Sequence, residues 1–304
     1  MKTLARCVRW VAFFAMAMVF AASAAFAQSA TDWESSTITV EGMGVPSVHA
    51  YSPVQARLMA RRAAVVDGYR QLAEAVKGVH VDSETTVENM MVTNDRIVTR
   101  VDAVIKGAKI IEERQIEGGA YMVKMQVALF GVSDSLASAV LPKESTVESF
   151  PEPVPSVEPS QTSIHVDISV PSTIPSWTPG QTTGSKAEKA PAGKAYGKYT
   201  GLIVDCTGLG LNPVMSPVIK NANGEPIYGH KNLNYDMVVA NGMAGYTRDI
   251  SKATRAGNNP LVVRAVSLDN HNGNPVISVA DANRVLIENA ATGFLEKTNV
   301  VFVR

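Results

Sequence analysis

Cysteine is nearly absent from the chain, with Cys7 and Cys206 its two copies. Cys7 sits in a charged leader, so Cys206 is left alone after processing and an intramolecular disulfide framework is excluded. A lone thiol of this kind reads as a small buried apolar residue. Long apolar runs are missing beyond the leader, which argues against membrane-spanning helices, since these need roughly 20 apolar residues. The five histidines, His49, His80, His165, His230 and His271, lack the close spacing of a zinc site, so no metal is expected. Gly208-Leu209-Gly210 follows a strand-like run without the third glycine or the helix of a dinucleotide motif, so it reads as a turn and no cofactor is expected. Excess charge is missing too. Removing Lys2, Arg6 and Arg9 from 28 basic residues leaves 25 against 28 acidic ones, and a net charge near −3 argues against a nucleic-acid partner.

What is present begins with an export signal. Lys2, Arg6 and Arg9 precede an apolar run from Val11 to Ala22, and small residues follow through Ala25-Phe26-Ala27. This is the three-part pattern of a secretory signal peptide, residues 1–27, with cleavage between Ala27 and Gln28. No cysteine stands just after the apolar run, so the exported protein is expected to be unlipidated, soluble and periplasmic.

From Pro142 to Lys198 the chain is crowded with Pro, Ser, Thr and Glu, which predicts a mobile linker between two domains. Within it, Ile164–Val170 alternates apolar and polar residues but is hemmed in by Pro171 and Pro175. Residues 28–141 then form one α+β domain and residues 199–304 another, each a small antiparallel sheet with one or two packed helices.

The first domain opens with a strand at Thr37–Val40 and a Gly42-Met43-Gly44 loop. A long helix follows, announced by Ser52 at the N-cap, Pro53 at the first position and Gln55 closing a capping box, and Gly78 ends it. Val54, Leu58, Val65, Tyr69, Leu72 and Val76 predict its buried stripe, with Asp67, Gln71 and Glu74 opposite. Arg62 falls near the centre of that stripe. It reads either as an interaction arginine at a domain surface or as one whose stem packs on the core. Val79–Val87 alternates weakly, Asn94–Lys106 has helical spacing closed by Gly107, and Gly118-Gly119 between two apolar runs marks a hairpin.

In the second domain Gly201–Cys206, Val214–Lys220, Pro226–Tyr228, Leu261–Ser267, Val276–Val279 and Val300–Val303 read as strands, and Asp281–Ala291 as a helix stopped by Gly293. Gly242-Met243-Ala244-Gly245-Tyr246 sets small residues beside an aromatic. That makes Gly242, Gly245 and Tyr246 candidates for a surface where another chain approaches closely, or else an ordinary tight loop.

Several stretches carry a family resemblance. They are Ile38 to Gly44, Ala60-Arg61-Arg62-Ala63-Ala64 running into Asp67-Gly68-Tyr69-Arg70-Gln71-Leu72, then Gly78-Val79, Lys106-Gly107-Ala108 and Gly119-Ala120-Tyr121-Met122-Val123. In this order residues 33–132 resemble a bacterial envelope domain shared by the twenty-kilodalton surface lipoprotein family and the N-terminal region of the flagellar assembly protein FlgT. The resemblance implies a non-catalytic envelope module, in the flagellar case one that helps build a ring around the motor. It brings no catalytic residues.

The sequence therefore predicts a periplasmic assembly or binding protein, contacting envelope proteins or other copies of itself through two tethered domains. The competing expectation is an envelope enzyme with Cys206 as thiol nucleophile, assisted by His271 and Asp205 or Asp269.

Overall fold

The computed structural model describes residues 31–143, 146–153 and 193–304. Ala27, Gln28, His165 and the run Ile164–Val170 lie outside the described residues.

The chain is an α+β protein of two domains. In the first, strands β1 (Thr31–Asp32), β2 (Thr37–Gly44), β3 (Lys109–Gln115) and β4 (Tyr121–Ala128) form an antiparallel sheet in the order β1-β2-β4-β3. The long helix α1 (Pro53–Lys77) lies across β2 and β4. Its N-cap forms as the sequence predicts, with the Ser52 side chain accepting from the Gln55 N–H, but the Gln55 side chain reaches past the cap residue and accepts from the Tyr51 N–H. Helices α2 (Val87–Thr93) and α3 (Asp95–Lys106) follow; α2 was not foreseen, and the weak strand expected over Val79–Val87 is reduced to a single bridge between His80 and Thr86. A short α4 (Leu136–Val140) packs on α3.

The buried stripe of α1 differs from the expected one. It consists of Ala60, Ala64, Gly68, Leu72 and Val76, each four residues from the next. Val54 and Leu58 are instead exposed, and Asp67 and Gln71 turn toward β2. The cause is backbone-to-backbone contact. A Cβ added at Gly42 would run into the Ala64 carbonyl and come within 2.7 Å of the Gly68 Cα, and one at Gly44 would meet the Ala60 carbonyl. The helix can approach this closely only through alanine and glycine, residues a hydrophobicity pattern underweights beside valine and leucine.

This close approach also solves a hydrogen-bonding problem. β1 pairs only with Thr37 and Ile38, so among the described residues the rest of that edge of β2 has no strand beside it. Asp67 Oδ2 accepts the Met43 N–H at 3.0 Å, and Gln71 Nε2 donates to the Glu41 carbonyl at 2.9 Å. Two side chains one helical turn apart thus stand in for a missing strand.

The second domain holds a seven-stranded sheet in the order β7-β6-β10-β9-β5-β11-β8. The strands are β5 (Gly201–Asp205), β6 (Ile219–Asn221), β7 (Pro226–Tyr228), β8 (Gly245–Thr247), β9 (Pro260–Asp269), β10 (Asn274–Ile277) and β11 (Val300–Val303). The sheet is mixed, a correction to the antiparallel expectation: β9, β5, β11 and β8 run parallel, β6 runs parallel to β10, and only β10–β9 and β6–β7 are antiparallel. β5 and β11 read Leu-Ile-Val and Val-Val-Phe-Val, the continuous apolar runs of strands buried on both faces. On one face Ile203, Val301 and Val303 pack under Ala253 and Ala256, while Leu202, Val204, Val300 and Phe302 join the main core. Helix α5 (Tyr235–Asn241) was not foreseen; α6 (Val279–Thr292) was, and Gly293 closes it at φ 63°.

The two domains do not hang on a free tether. One continuous core runs from Ile38, Leu72 and Met125 to Met215, Tyr246 and Phe302. Across the seam Met215 N–H donates to the His80 carbonyl at 3.1 Å, Ser216 N–H to that of Val81 at 2.7 Å, and Gly131 N–H to that of Val239 at 2.8 Å. The ends of the expected linker are also held. Glu148 N–H bonds the Lys231 carbonyl and Phe150 stacks on Tyr228, with ring centroids 6.4 Å apart. The Tyr196 and Gly197 N–H groups donate to the fully buried Glu288 carboxylate, beside which Arg284 stacks on the Tyr196 ring. Counting prolines and serines gives no weight to such anchors as Phe150 and Tyr196.

Candidate functional site

Met59, Arg62, Ala63, Val66 and Arg70 of α1 line a shallow depression on the surface, with Asp67, which reaches toward β2, at its edge. Toward the start of the helix this face runs into Val54 and Leu58, 57% and 59% exposed, and then into the loop before it. There Val45, Val48 and Tyr51 project almost wholly into water, Val48 at 92% and Tyr51 at 96% exposure. The β3–β4 turn lies alongside, since a Cβ on Gly119 would sit 3.6 Å from Pro46. Isolated exposed apolar residues are ordinary, but several at one end of a domain make that end a candidate interaction surface.

Arg62 belongs to this surface. It is exposed on the outer face of α1 rather than near its buried stripe, and among the described residues it makes no hydrogen bond or ion pair. The neighbouring charges are engaged. Arg61 pairs with Glu113 at 2.8 Å, and Arg70 bridges Asp67 at 2.8 Å and Glu74 at 2.7 Å. Burial alone would raise the Asp67 pKa, but the Met43 N–H, Arg70 and Gln71 outweigh it and hold the carboxyl below its ordinary value.

Gly242 and Tyr246 do meet a close neighbour, and it is this chain's own first domain, whereas Gly245 packs within the second. Gly242, at φ 76°, leaves room for the Phe130 ring, which a Cβ would approach to 2.9 Å. Gly245 opens β8 and faces the Arg255 side chain. Tyr246 is 5% exposed; its ring meets Trp33 edge-on at 5.5 Å, and its hydroxyl donates to the Val214 carbonyl and accepts from the Val214 N–H. Arg255, buried under the same turn, donates to the carbonyls of Asn241, Gly242 and Thr298. The Gly-rich stretch thus lies at a seam within this chain, with Phe130 and Trp33 as the neighbours.

Cys206 is fully buried just past the end of β5, its thiol donating to the Val204 carbonyl at 3.8 Å. Burial, with a smaller push from Asp205, raises its pKa to about 12. The acids considered as its helpers are occupied: Asp205 accepts from the Thr207 N–H, and Asp269 pairs with Lys220 at 2.6 Å. Among the described residues no group of His, Cys, Asp or Glu side chains is arranged to hold a metal ion, and no helix is long and apolar enough to cross a membrane.

The outer surface was hard to find from sequence because its residues, Val54 and Leu58 above all, mimic a core stripe. The one signal available was the glycine pair in β2, which demands small residues on the helix and so displaces the large ones outward.

Comparison with known proteins divides the chain along these same lines. No curated protein matches it. Residues 201–304, β5 through β11, match a family model described as the second domain of Treponema pallidum Tp0624. Residues 45–128, from the exposed loop through β4, match the model of the LPP20 lipoprotein family, so that the domain bearing the outer surface is similar to an envelope lipoprotein.

Proposed function

We propose that the protein is a non-catalytic binding and assembly component of the cell envelope, working in the periplasm and engaging its partner through the outer end of the first domain. The observation that carries this reading is the set of exposed apolar side chains between Val45 and Val66, with the unpaired Arg62 beside Met59 and Val66. Apolar side chains around an arginine free to bond a partner have the composition of an interface hot spot. The similarity of residues 45–128 to the LPP20 lipoprotein family supports an envelope setting. A thiol enzyme fits less well, because a nucleophilic cysteine needs a lowered pKa and access, and Cys206 has neither. Flagellar ring assembly is the setting favoured by the resemblance of residues 33–132 to the N-terminal region of FlgT, and a deletion strain should then swim poorly.

A photo-cross-linking residue placed at Leu58 or Arg62 in growing cells tests the contact. An adduct with an envelope component is expected at both positions and not at Lys220, which is already paired with Asp269 in the second domain. Adducts confined to the second domain would contradict the reading.

A further inference from the structure

We propose that the outer edge of β3 is a self-association surface, where a second copy of this chain pairs antiparallel about a two-fold axis through Glu113 and joins the two four-stranded sheets into one. This edge is distinct from the apolar end described above, and the inference does not depend on the function proposed there.

β3 closes the order β1-β2-β4-β3, and among the described residues no strand pairs with its outer side. All seven of its residues are exposed, Ile110 and Ile111 included, and it holds no proline. Its outward backbone groups are therefore a template for another strand. At the other side of the sheet β1, Asp67 and Gln71 engage the backbone of β2, whereas among the described residues nothing does the same for β3.

Charge selects the occupant. On the sheet face turned away from α1, Glu41, Lys124 and Glu112 stand opposite one another on β2, β4 and β3, with Lys124 3.6 Å from Glu41. This row of alternating sign stops at the edge on a carboxylate, and the strand that extends it has to present a cation there. A two-fold axis perpendicular to an antiparallel pair passes through the same residue of both strands, so each register is named by its central residue. With Glu113 at the centre, Arg114 of the second copy lies opposite Glu112 and extends the row, and symmetry repeats the pair. Centring on Glu112 or Arg114 instead sets that charge against its own copy and brings no opposite charges face to face along β3. Lys109 and Glu117, four residues to either side of Glu113, carry opposite signs as well.

Glu113 meets its own copy at the axis. Each Glu113 already pairs with an Arg61 guanidinium at 2.8 Å, so the meeting point is neutral. A bulge at Ile111 interrupts the regular pairing of β3, which keeps the matched stretch short and the dimer reversible.

The test is sedimentation velocity of the full exported chain over a range of concentrations. A reversible monomer–dimer equilibrium is expected, weakening as salt is raised. Glu112→Arg and Arg114→Glu should each weaken association by about tenfold or more, because both attractive cross-strand pairs turn repulsive. An equimolar mixture of the two variants should dimerise again, since the arginine introduced at position 112 then faces the glutamate introduced at position 114. These side chains are exposed, so unchanged thermal melting serves as the control for folding. Hydrogen–deuterium exchange should show residues 110–115 gaining protection as concentration rises. A protein that stays monomeric, a dimer indifferent to both variants, or variants that do not rescue one another overturns the proposal. Protection of β3 that is independent of concentration also overturns it, because another part of the same chain then covers the edge.

Discussion

At Gly42 one methyl group decides whether α1 can lie on β2. The Ala64 carbonyl and the Gly68 backbone occupy the space a Cβ would need, and backbone cannot swing aside as a side chain can. Gly42→Ala should therefore cost about 3 kcal/mol, the upper end for overpacking, and urea titration measures it. Asp67 carries a pH signature. Its folded pKa lies below the 3.8 of an unperturbed carboxyl, so its contribution is fully present above that value and is lost as the pH falls through the lower folded one. Asp67→Ala should cost about 1–2 kcal/mol at neutral pH, and the gap between variant and parent should close as the solution is acidified below that range. Cys206, with its pKa raised to about 12, should resist a thiol reagent in the native protein and react once it is unfolded.

At the scale of elements, α1 shows both what the sequence reveals and what it hides. Its ends were legible because Ser52, Pro53, Gln55 and Gly78 act locally, through hydrogen bonds and φ preferences that need no tertiary partner. Its buried face was legible at Leu72 and Val76 but not nearer its start, where Gly42 and Gly44 select alanine and glycine at a distance in the chain. The consequence is a contrast between two leucines on one helix. Leu72→Ala should cost about 2–5 kcal/mol, whereas Leu58→Ser should change stability by no more than about 0.5 kcal/mol. Differential scanning calorimetry of the two variants distinguishes the observed stripe from the one hydrophobic periodicity suggests. In the second domain the runs at β5 and β11 announced buried strands, but neighbours and direction depend on pairings between residues about a hundred positions apart, which local pattern does not encode. Tyr246 was legible as a residue beside a close approach, yet only the fold shows that Phe130 and Trp33 do the approaching.

For the whole molecule, the seam changes how the two domains are expected to act. A tether between independent domains would let each seek its own partner, with the linker setting an effective concentration. Domains joined by a continuous core, by Trp33 against Tyr246 and by Lys252 paired with Glu34 at 3.2 Å act as one packed body instead. A protease site introduced between residues 154 and 192 and then cut should give two fragments that still elute together in gel filtration, and Trp33→Ala should loosen that association. On the proposed function, the second domain holds the first in a fixed pose and the outer end of the first is the working surface. Hydrogen–deuterium exchange on the protein free and bound to isolated envelope tests this most directly. Protection should appear in residues 45–66, with the seam at His80, Val81 and Tyr246 equally slow in both states; protection centred on the second domain, or a seam that opens on binding, would contradict it.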